Sequence, residues 1–518
     1  MKQALLILSI FSLSVSSGYN ILLVFPFPVR SLNLLGEGYV KHLHAAGHEI
    51  TYVTVYPLKN KPEHNFTQID ISSNTKIFEG EPALNISEIM TGVAKINDIE
   101  ELHDLSLVIG AFTFNNDNVQ KLLRDTSQHF DLVIADLIES DLYPILGALY
   151  DCPFIWAYSM GTQWYVLRTI DEATNPAYTV DGIISHNVPP LNFIQRIQEL
   201  LYRIEWYFVK RLDYVPILSL LETLEPLFTL RGKSMPTYED VVQNISLIFS
   251  NENTFYGNIP STPQNFKFIS GQHIDVPHKP LPKDLQTFMD NAQEGVIYFS
   301  MGSTWKSKDI PESVTRGLLS VLGELKHPVI WKYEAELTNV PKNVHIMNWA
   351  PQQSILAHPN CLFFITHGGL LSSIEAIHFG IPIIGMPIYY DQFININKAV
   401  ARGFGLHVKL NLDVVANLKK AIHIMLEDDK YRKKAKELSI IYHDRPVQPG
   451  AELVHWSEHV IRTRGAPHLR SPALLVPWYQ KLYLDLFALV VAVIILLCTA
   501  VKYILCNRKI KDVVKKNK

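Results

Sequence analysis

The 518 residues exceed what one ordinary core organises, and a 47% hydrophobic share is that of globular protein, so two α/β domains with additions are expected. A formal net charge of −3, with no Lys/Arg cluster interleaved with aromatics before the extreme C-terminus, offers no footprint for nucleic acid. Of four cysteines, Cys498 and Cys506 belong to an apolar C-terminal run and its edge, which leaves Cys152 and Cys361 and no disulfide framework, so apolar burial has to hold the body together.

Met1-Lys2, the apolar run through Leu5 to Leu13 and the small residues Ser16-Ser17-Gly18 follow the charge, core and cleavage-site order of a signal peptide, assigned to residues 1–18. A strand is expected over Asn20 to Pro28, a helix over Leu35 to Ala46, a stop at Gly47-His48 and a second strand over Glu49 to Tyr56, which together make a β-α-β unit. Asn65-Phe-Thr67, Asn85-Ile-Ser87 and Asn244-Ile-Ser246 are glycosylation sequons, consistent with a luminal body. Strand-like runs recur at Asp131–Asp136, Pro153–Ala157 and Ser246–Ser250 with helical stretches between, the pattern of a parallel sheet covered on both faces. The aromatic and aliphatic stretch from Phe193 to Phe228, with Trp206, Tyr207 and Phe208, suits a pocket for lipophilic molecules or a core helix, and composition favours the core.

Residues 19–259 are thus one domain, and the proline-rich stretch that follows is its linker, 260–285. A second alternation fills 286–450, with strands expected at Val296–Ser300, Pro328–Tyr333, Val344–Met347, Cys361–Thr366 and Ile381–Met386. Two doubly wound domains facing each other bind ligands in the cleft at the carboxyl ends of their strands.

The densest signal lies there: Trp349-Ala-Pro-Gln352, Leu356-Ala-His358-Pro, Phe364-Ile-Thr366-His367-Gly368-Gly369, Ser372, Glu375, Gly380-Ile-Pro382, Pro387 and Asp391-Gln392. Gly368-Gly369 between a strand and a helix lets backbone approach a phosphate at the positive helix end, where His367 and Ser372 add hydrogen-bond donors. Glu375, one turn further along, can accept two ribose hydroxyl protons. Trp349 offers a flat face to a base, and Asp391-Gln392 suits a hydroxyl-rich sugar.

Residues 451–482 approach the membrane; His455-Trp-Ser-Glu458-His459 matches a zinc-protease pattern but has no third ligand, so no metal is expected. Residues 483–505 form an apolar span flanked by Trp478, Tyr479 and Tyr483, and the basic residues of 506–518 mark a cytosolic tail. Lys515-Lys516-Asn-Lys518 fits a dilysine retrieval signal of the endoplasmic reticulum or the plain basic flank of a span, and the lysine positions favour retrieval.

The motif resembles the signature of the UDP-glycosyltransferase family, membrane-anchored animal type, and the likeness runs from leader to tail. The Leu370-Leu371 pair looks like the insect branch, which implies UDP-glucose as donor. The resemblance implies the two-domain GT-B fold, two Rossmann-like α/β domains facing a cleft, a return helix within 451–482, plus one C-terminal transmembrane helix. It also implies a hexosyltransferase of the endoplasmic reticulum membrane that acts in detoxification, takes UDP-sugar as cosubstrate and small lipophilic acceptors, and needs no cofactor. Membrane lipid is its other partner, and oligomerisation stays open. By that likeness Trp349 stacks on uracil, Gln352 and Glu375 hold ribose, His367, Gly369, Ser372 and Ser303 bind diphosphate, and Asp391 with Gln392 binds the sugar.

The family's base is a histidine after the first strand, oriented by an aspartate that corresponds to Asp136. In Pro28-Val29-Arg30-Ser31-Leu32-Asn33, Leu32 stands in its place. Three consequences are open: amine acceptors that need no base, a weaker base from Asp136 or an acceptor loop, or a UDP-sugar-binding pseudoenzyme.

Overall fold

The apolar runs become strands because burying them on both faces is the only way to remove so much Val, Ile, Leu and Phe from water, and parallel strands are covered on both faces by their crossover helices. The computed structural model describes residues 18–516 apart from 79–85, 94–98, 138–140, 163–165, 168, 171–174, 181–184, 186, 213, 253–261 and 303–309. Residues 1–17 of the expected leader, Asn85 and Ser303 lie outside the described residues.

Among the described residues, β1 (Asn20–Phe25), β2 (Glu49–Thr54), β3 (Phe66–Asp70), β4 (Leu132–Asp136), β5 (Phe154–Tyr158), β6 (Ile245–Ser250) and β7 (Phe266–Phe268) form one sheet in the order β3-β2-β1-β4-β5-β6-β7. A second sheet has the order β10-β9-β8-β11-β12-β13, from β8 (Val296–Ser300), β9 (Val329–Lys332), β10 (Val344–Met347), β11 (Cys361–Thr366), β12 (Ile383–Gly385) and β13 (Gly405–His407). Every pairing is parallel. The strand order of each sheet reverses once, at β1/β4 and at β8/β11, and these are the places where doubly wound folds hold ligands.

The helices that matter to the site are α1 (Arg30–Ala45), α2 (Ile99–Phe114), α3 (Phe193–Leu212), α4 (Gln352–Ala357), α5 (Leu370–His378), α6 (Asp391–Arg402) and α7 (Pro449–Arg462), followed by the long α8 (Leu484–Lys516). The core of the first domain gathers Leu22, Val133, Phe154 and Trp156, and that of the second gathers Ile297, Trp331, Ile365 and Ile384. α7 returns from the second domain to the first, where Leu453 and Val460 pack with Ile21, Leu43 and Leu247.

Three expectations change. The linker is shorter than 260–285, because β7 at Phe266–Phe268 extends the first sheet beside β6 and a helix begins at Lys283. α3 is neither core nor part of the cleft described below: Phe193, Ile194, Ile197, Leu201, Ile204 and Phe208 recur at helical spacing but form one exposed stripe. The side chains of Trp206 and Tyr207 lie outside the described residues. α1 begins at Arg30, five residues before the expected Leu35, so Leu32 sits in its first turn.

The residues 484–507 within α8 form an apolar segment of mean hydropathy 2.8, none of it buried, long enough to cross a bilayer. Glu458 of the metal-like pattern on α7 is bound to Arg462 at 2.7 Å and faces His48 at 3.4 Å. Cys152 and Cys361 are buried free thiols. Asn65 and Asn244 are exposed.

Candidate active site

Loops after β1, β5, β8 and β11 line one cleft of about 2080 Å³ between the domains. From the second domain it is walled by Gly302, Lys332, Trp349, Gln352, His367, Gly369, Ser372, Glu375, Asp391 and Gln392. Ser303 alone among the expected donor-site residues lies outside the described residues; it follows Gly302 directly.

The turn after β11 builds an anion cradle. Gly368 has φ +84°, and a Cβ there would stand 2.4 Å from Ile396 Cγ1. A Cβ on Gly302 or Gly369 would come within 2.5 Å of the His367 ring, so both glycines let that imidazole sit between two turns. α5 starts at Leu370 with Gly369 as its cap and no side chain on its first N–H groups, which leaves the positive helix end facing the cleft.

Burial, and then the Lys332 ammonium, push His367 down to about 4, so it is neutral at pH 7 and brings one N–H donor. Its Nδ1 is buried with no partner among the described residues. Lys332, at the carboxyl end of β9, is only 8% exposed; its Nζ donates to Gly302 O at 2.6 Å, binds Glu334 and stands 5.7 Å from the Trp349 ring. An ammonium held beside two anion-binding turns is suited to diphosphate charge. Sequence reasoning missed it, although a lysine ending an apolar strand was the available signal.

Beyond the cradle, Glu375 is 6% exposed and engaged on both oxygens. Gln352 Nε2 donates to its Oε2 at 2.5 Å and to Ser372 Oγ at 3.0 Å, while Gln353 Nε2 donates to its Oε1 at 2.9 Å. His273 Nε2 lies 3.5 Å from the same Oε1. Tyr298 OH fixes Gln352 through its Oε1 at 3.2 Å. Two of the carboxylate's roughly four lone-pair positions are thus occupied, leaving room for two hydroxyl donors. Gln353 and His273 were also missed; His273 comes from the expected linker, where nothing in its neighbours marked it. Trp349 is 58% exposed, its indole open to a stacking partner.

At the far end, Asp391 starts α6. Burial raises its carboxyl to about 6 against the lowering effect of Asn395, whose Nδ2 donates to Asp391 Oδ2 at 2.9 Å and to Gly368 O at 3.0 Å. Gln392 Oε1 accepts from Ile388 N at 2.9 Å, which leaves its amide donors for a ligand. Tyr390, just before them, holds φ +52°, a conformation non-glycine residues adopt rarely and chiefly at functional turns.

The opposite wall belongs to the first domain. Asn33 is fully buried and pins the turn after β1: its Nδ2 donates to Phe27 O at 2.9 Å and Val29 O at 3.2 Å, and Thr54 Oγ1 donates to its Oδ1 at 2.7 Å. Leu32 therefore faces the cleft among Phe27, Val29, Ile77, Phe78 and Leu105. Asp136, ending β4, is 2% exposed, and burial raises its carboxyl to about 7. Neither Leu32 nor its apolar neighbours offer it a hydrogen bond. Among the described residues, no group of three His, Cys, Asp or Glu side chains converges to hold a metal ion.

This cleft can hold a base on Trp349, a ribose on Glu375, a diphosphate at the start of α5 and a sugar at Asp391-Gln392, with an apolar acceptor opposite. Residues 25–518 match the family model described as UDP-glucoronosyl and UDP-glucosyl transferase. The chain is 32% identical to "UDP-glucosyltransferase 2" of Dactylopius coccus, over 97% of this chain and 96% of that protein. It is 29% identical to "UDP-glucuronosyltransferase 2A1" of Mus musculus, over 76% and 72% respectively. Among solved structures it is similar to Os79 from O. sativa in complex with UDP, with a TM-score of 0.54 at 16% identity, covering 85% of this chain and 99% of that one. The glycotransferase of kitacinnamycin gives 0.54 at 15% identity, covering 86% and 98%. These likenesses are to the GT-B fold, which the two parallel sheets adopt.

Proposed function

Because the chain belongs to the UDP-glucuronosyl and UDP-glucosyl transferase family and is a UDP-sugar-dependent glycosyltransferase, we propose that it moves glucose onto small lipophilic acceptors, amines ahead of hydroxyls. The observation that carries the acceptor preference is Leu32 in the cleft wall opposite the residues expected to hold the donor. A neutral hydroxyl is a poor nucleophile, and a positioned base contributes roughly 10²–10⁴ in rate. A neutral amine attacks with a lone pair it already has and loses its proton afterwards, so Leu32 costs it little.

In this reading Trp349 stacks on uracil, Gln352 and Glu375 hold the ribose, and Gly369, Ser372, Ser303, His367 and Lys332 receive the diphosphate. Asp391 and Gln392 bind the sugar. As the C1–O bond breaks, the electron pair leaves on the diphosphate, where the N-terminus of α5 and the Lys332 ammonium meet the growing charge. Glucose is favoured by the likeness to an insect glucosyltransferase.

The same reading makes the apolar segment 484–507 an anchor in the endoplasmic reticulum membrane, with the body luminal, the basic tail cytosolic and a role in clearing lipophilic compounds. Exposed Asn65 and Asn244 suit luminal glycosylation. The test is mass-spectrometric detection of products from purified full-length protein given UDP-glucose or UDP-glucuronate with matched phenols and amines. Amine glucosides exceeding phenol glucosides support the proposal. UDP-sugar bound but neither transferred nor hydrolysed supports a pseudoenzyme instead.

A further inference from the structure

Asp136 and Ser159 end neighbouring strands of the first sheet. Asp136 pairs with Ala157, and Leu137 N donates to Ala157 O at 2.8 Å, so the two strand ends are held in register. Ser159 Oγ donates to Asp136 Oδ1. Asp136 Oδ2 is buried and has no hydrogen-bond partner among the described residues. A purely structural aspartate is normally satisfied on both oxygens.

The groups whose titration Asp136 influences are tyrosines from three directions: Tyr39 on α1, Tyr52 on β2 and Tyr143 beyond β4. Among the described residues, what acts on its own carboxyl is burial and the Ser159 hydroxyl, with no cation contributing. Asp136 itself does not line the cleft; Ser159, 4% exposed, does, on the same cleft as Leu32 and His367.

We propose that Ser159 and Asp136 form a proton route for hydroxyl acceptors, replacing the base that Leu32 cannot supply. This rests on the reading of the cleft as a glycosyl-transfer site. The acceptor oxygen attacks C1 of the sugar while its proton passes to Ser159 Oγ, and the Ser159 hydroxyl proton passes to Asp136. The C1–O bond to the diphosphate breaks with its electron pair on UDP. Ser159 touches the acceptor and is the catalytic residue; Asp136 acts through it. The protonated carboxyl returns its proton to solvent through the same serine after product leaves.

Only the ionised carboxylate can accept, and burial raises Asp136 to about 7. Phenol transfer therefore climbs as pH rises through about 7 and falls away below it, whereas a neutral amine does not need Asp136. The experiment measures turnover of a naphthol and the matching naphthylamine from pH 5.5 to 9, about 1.5 units below and 2 above that midpoint, in wild type, Ser159→Ala, Ser159→Thr and Asp136→Asn. UDP affinity and thermal unfolding serve as checks on folding.

In Ser159→Ala, naphthol kcat should fall roughly 10- to 100-fold, at least tenfold more than naphthylamine kcat, with the limb near pH 7 gone and KM for UDP-sugar unmoved. Ser159→Thr, which keeps the hydroxyl, should restore most of the loss. If naphthol and naphthylamine turnover fall together, or the limb near pH 7 survives in Ser159→Ala, the route is wrong and the pair is structural. If a misfolded Asp136→Asn obscures its own result, the Ser159 pair still decides. Wild type that transfers to neither acceptor overturns both this route and the transferase reading, which separates that failure from a failure of the route alone.

Discussion

Replacing Glu375 with alanine should weaken UDP binding about 30-fold, and the structure sets that size. A hydrogen bond to a charged group contributes about 1.5–3 kcal/mol. Glu375 already accepts from Gln352 and Gln353, so ribose hydroxyls take its free lone pairs without displacing either amide. Discounting the pair for the loss of their hydration leaves about 2 kcal/mol, or roughly 30-fold in Kd. The fold should lose only about 1 kcal/mol, because Gln352 Nε2 keeps Ser372 Oγ at 3.0 Å and Gln353 Nε2 keeps His273 O at 3.4 Å. Calorimetry with UDP and its 2′,3′-dideoxy analogue separates the terms: the variant should lose about 30-fold for UDP but under threefold for the analogue. Equal losses for both ligands, or none for UDP, would refute the assignment of Glu375 to the ribose.

His367 should make UDP-glucose binding tighten on acidification. Its free-state value near 4 lies below the ordinary imidazole value, and a diphosphate beside it favours the charged ring, so protons are taken up on binding as pH falls toward 4. A His367→Ala variant with the same slope of affinity against pH would contradict this. Protease added to sealed microsomes should remove only the tail beyond about Leu505 and leave a glycosylated body, whereas digestion of the body without detergent would refute the orientation.

The cleft wall of the second domain was legible because most of it comes from a single stretch of about forty residues, from Trp349 to Gln392. The rest of that site comes from afar: Lys332 from β9, and His273 from a stretch that looked like linker. The first β-α-β unit was legible because its apolar runs are long. β7 and β13 are three residues each, too short for strand composition to stand out, and β3 is only partly covered and reads Phe-Thr-Gln-Ile-Asp, without an apolar run. The stripe on α3 misled by composition, since helical periodicity reports that one face is apolar and not that anything covers it. Leu32 was visible only as a departure from a known pattern, and Ser159 was hidden among strand-end residues until its contact with Asp136 appeared.

The central claim is that Leu32 removes the base for hydroxyl acceptors from an otherwise complete glycosyltransferase cleft. Its most direct test is kcat for a phenol in Leu32→His, with and without Asp136→Asn. A restored imidazole should raise phenol turnover by on the order of 10²-fold, because a positioned base contributes that much, and an adjoining carboxylate fixes its tautomer and steadies the imidazolium. Adding Asp136→Asn should remove most of that gain. Phenol turnover unchanged in Leu32→His while UDP-sugar still binds, or a wild type that already glycosylates phenols as fast as matched amines, would contradict the claim.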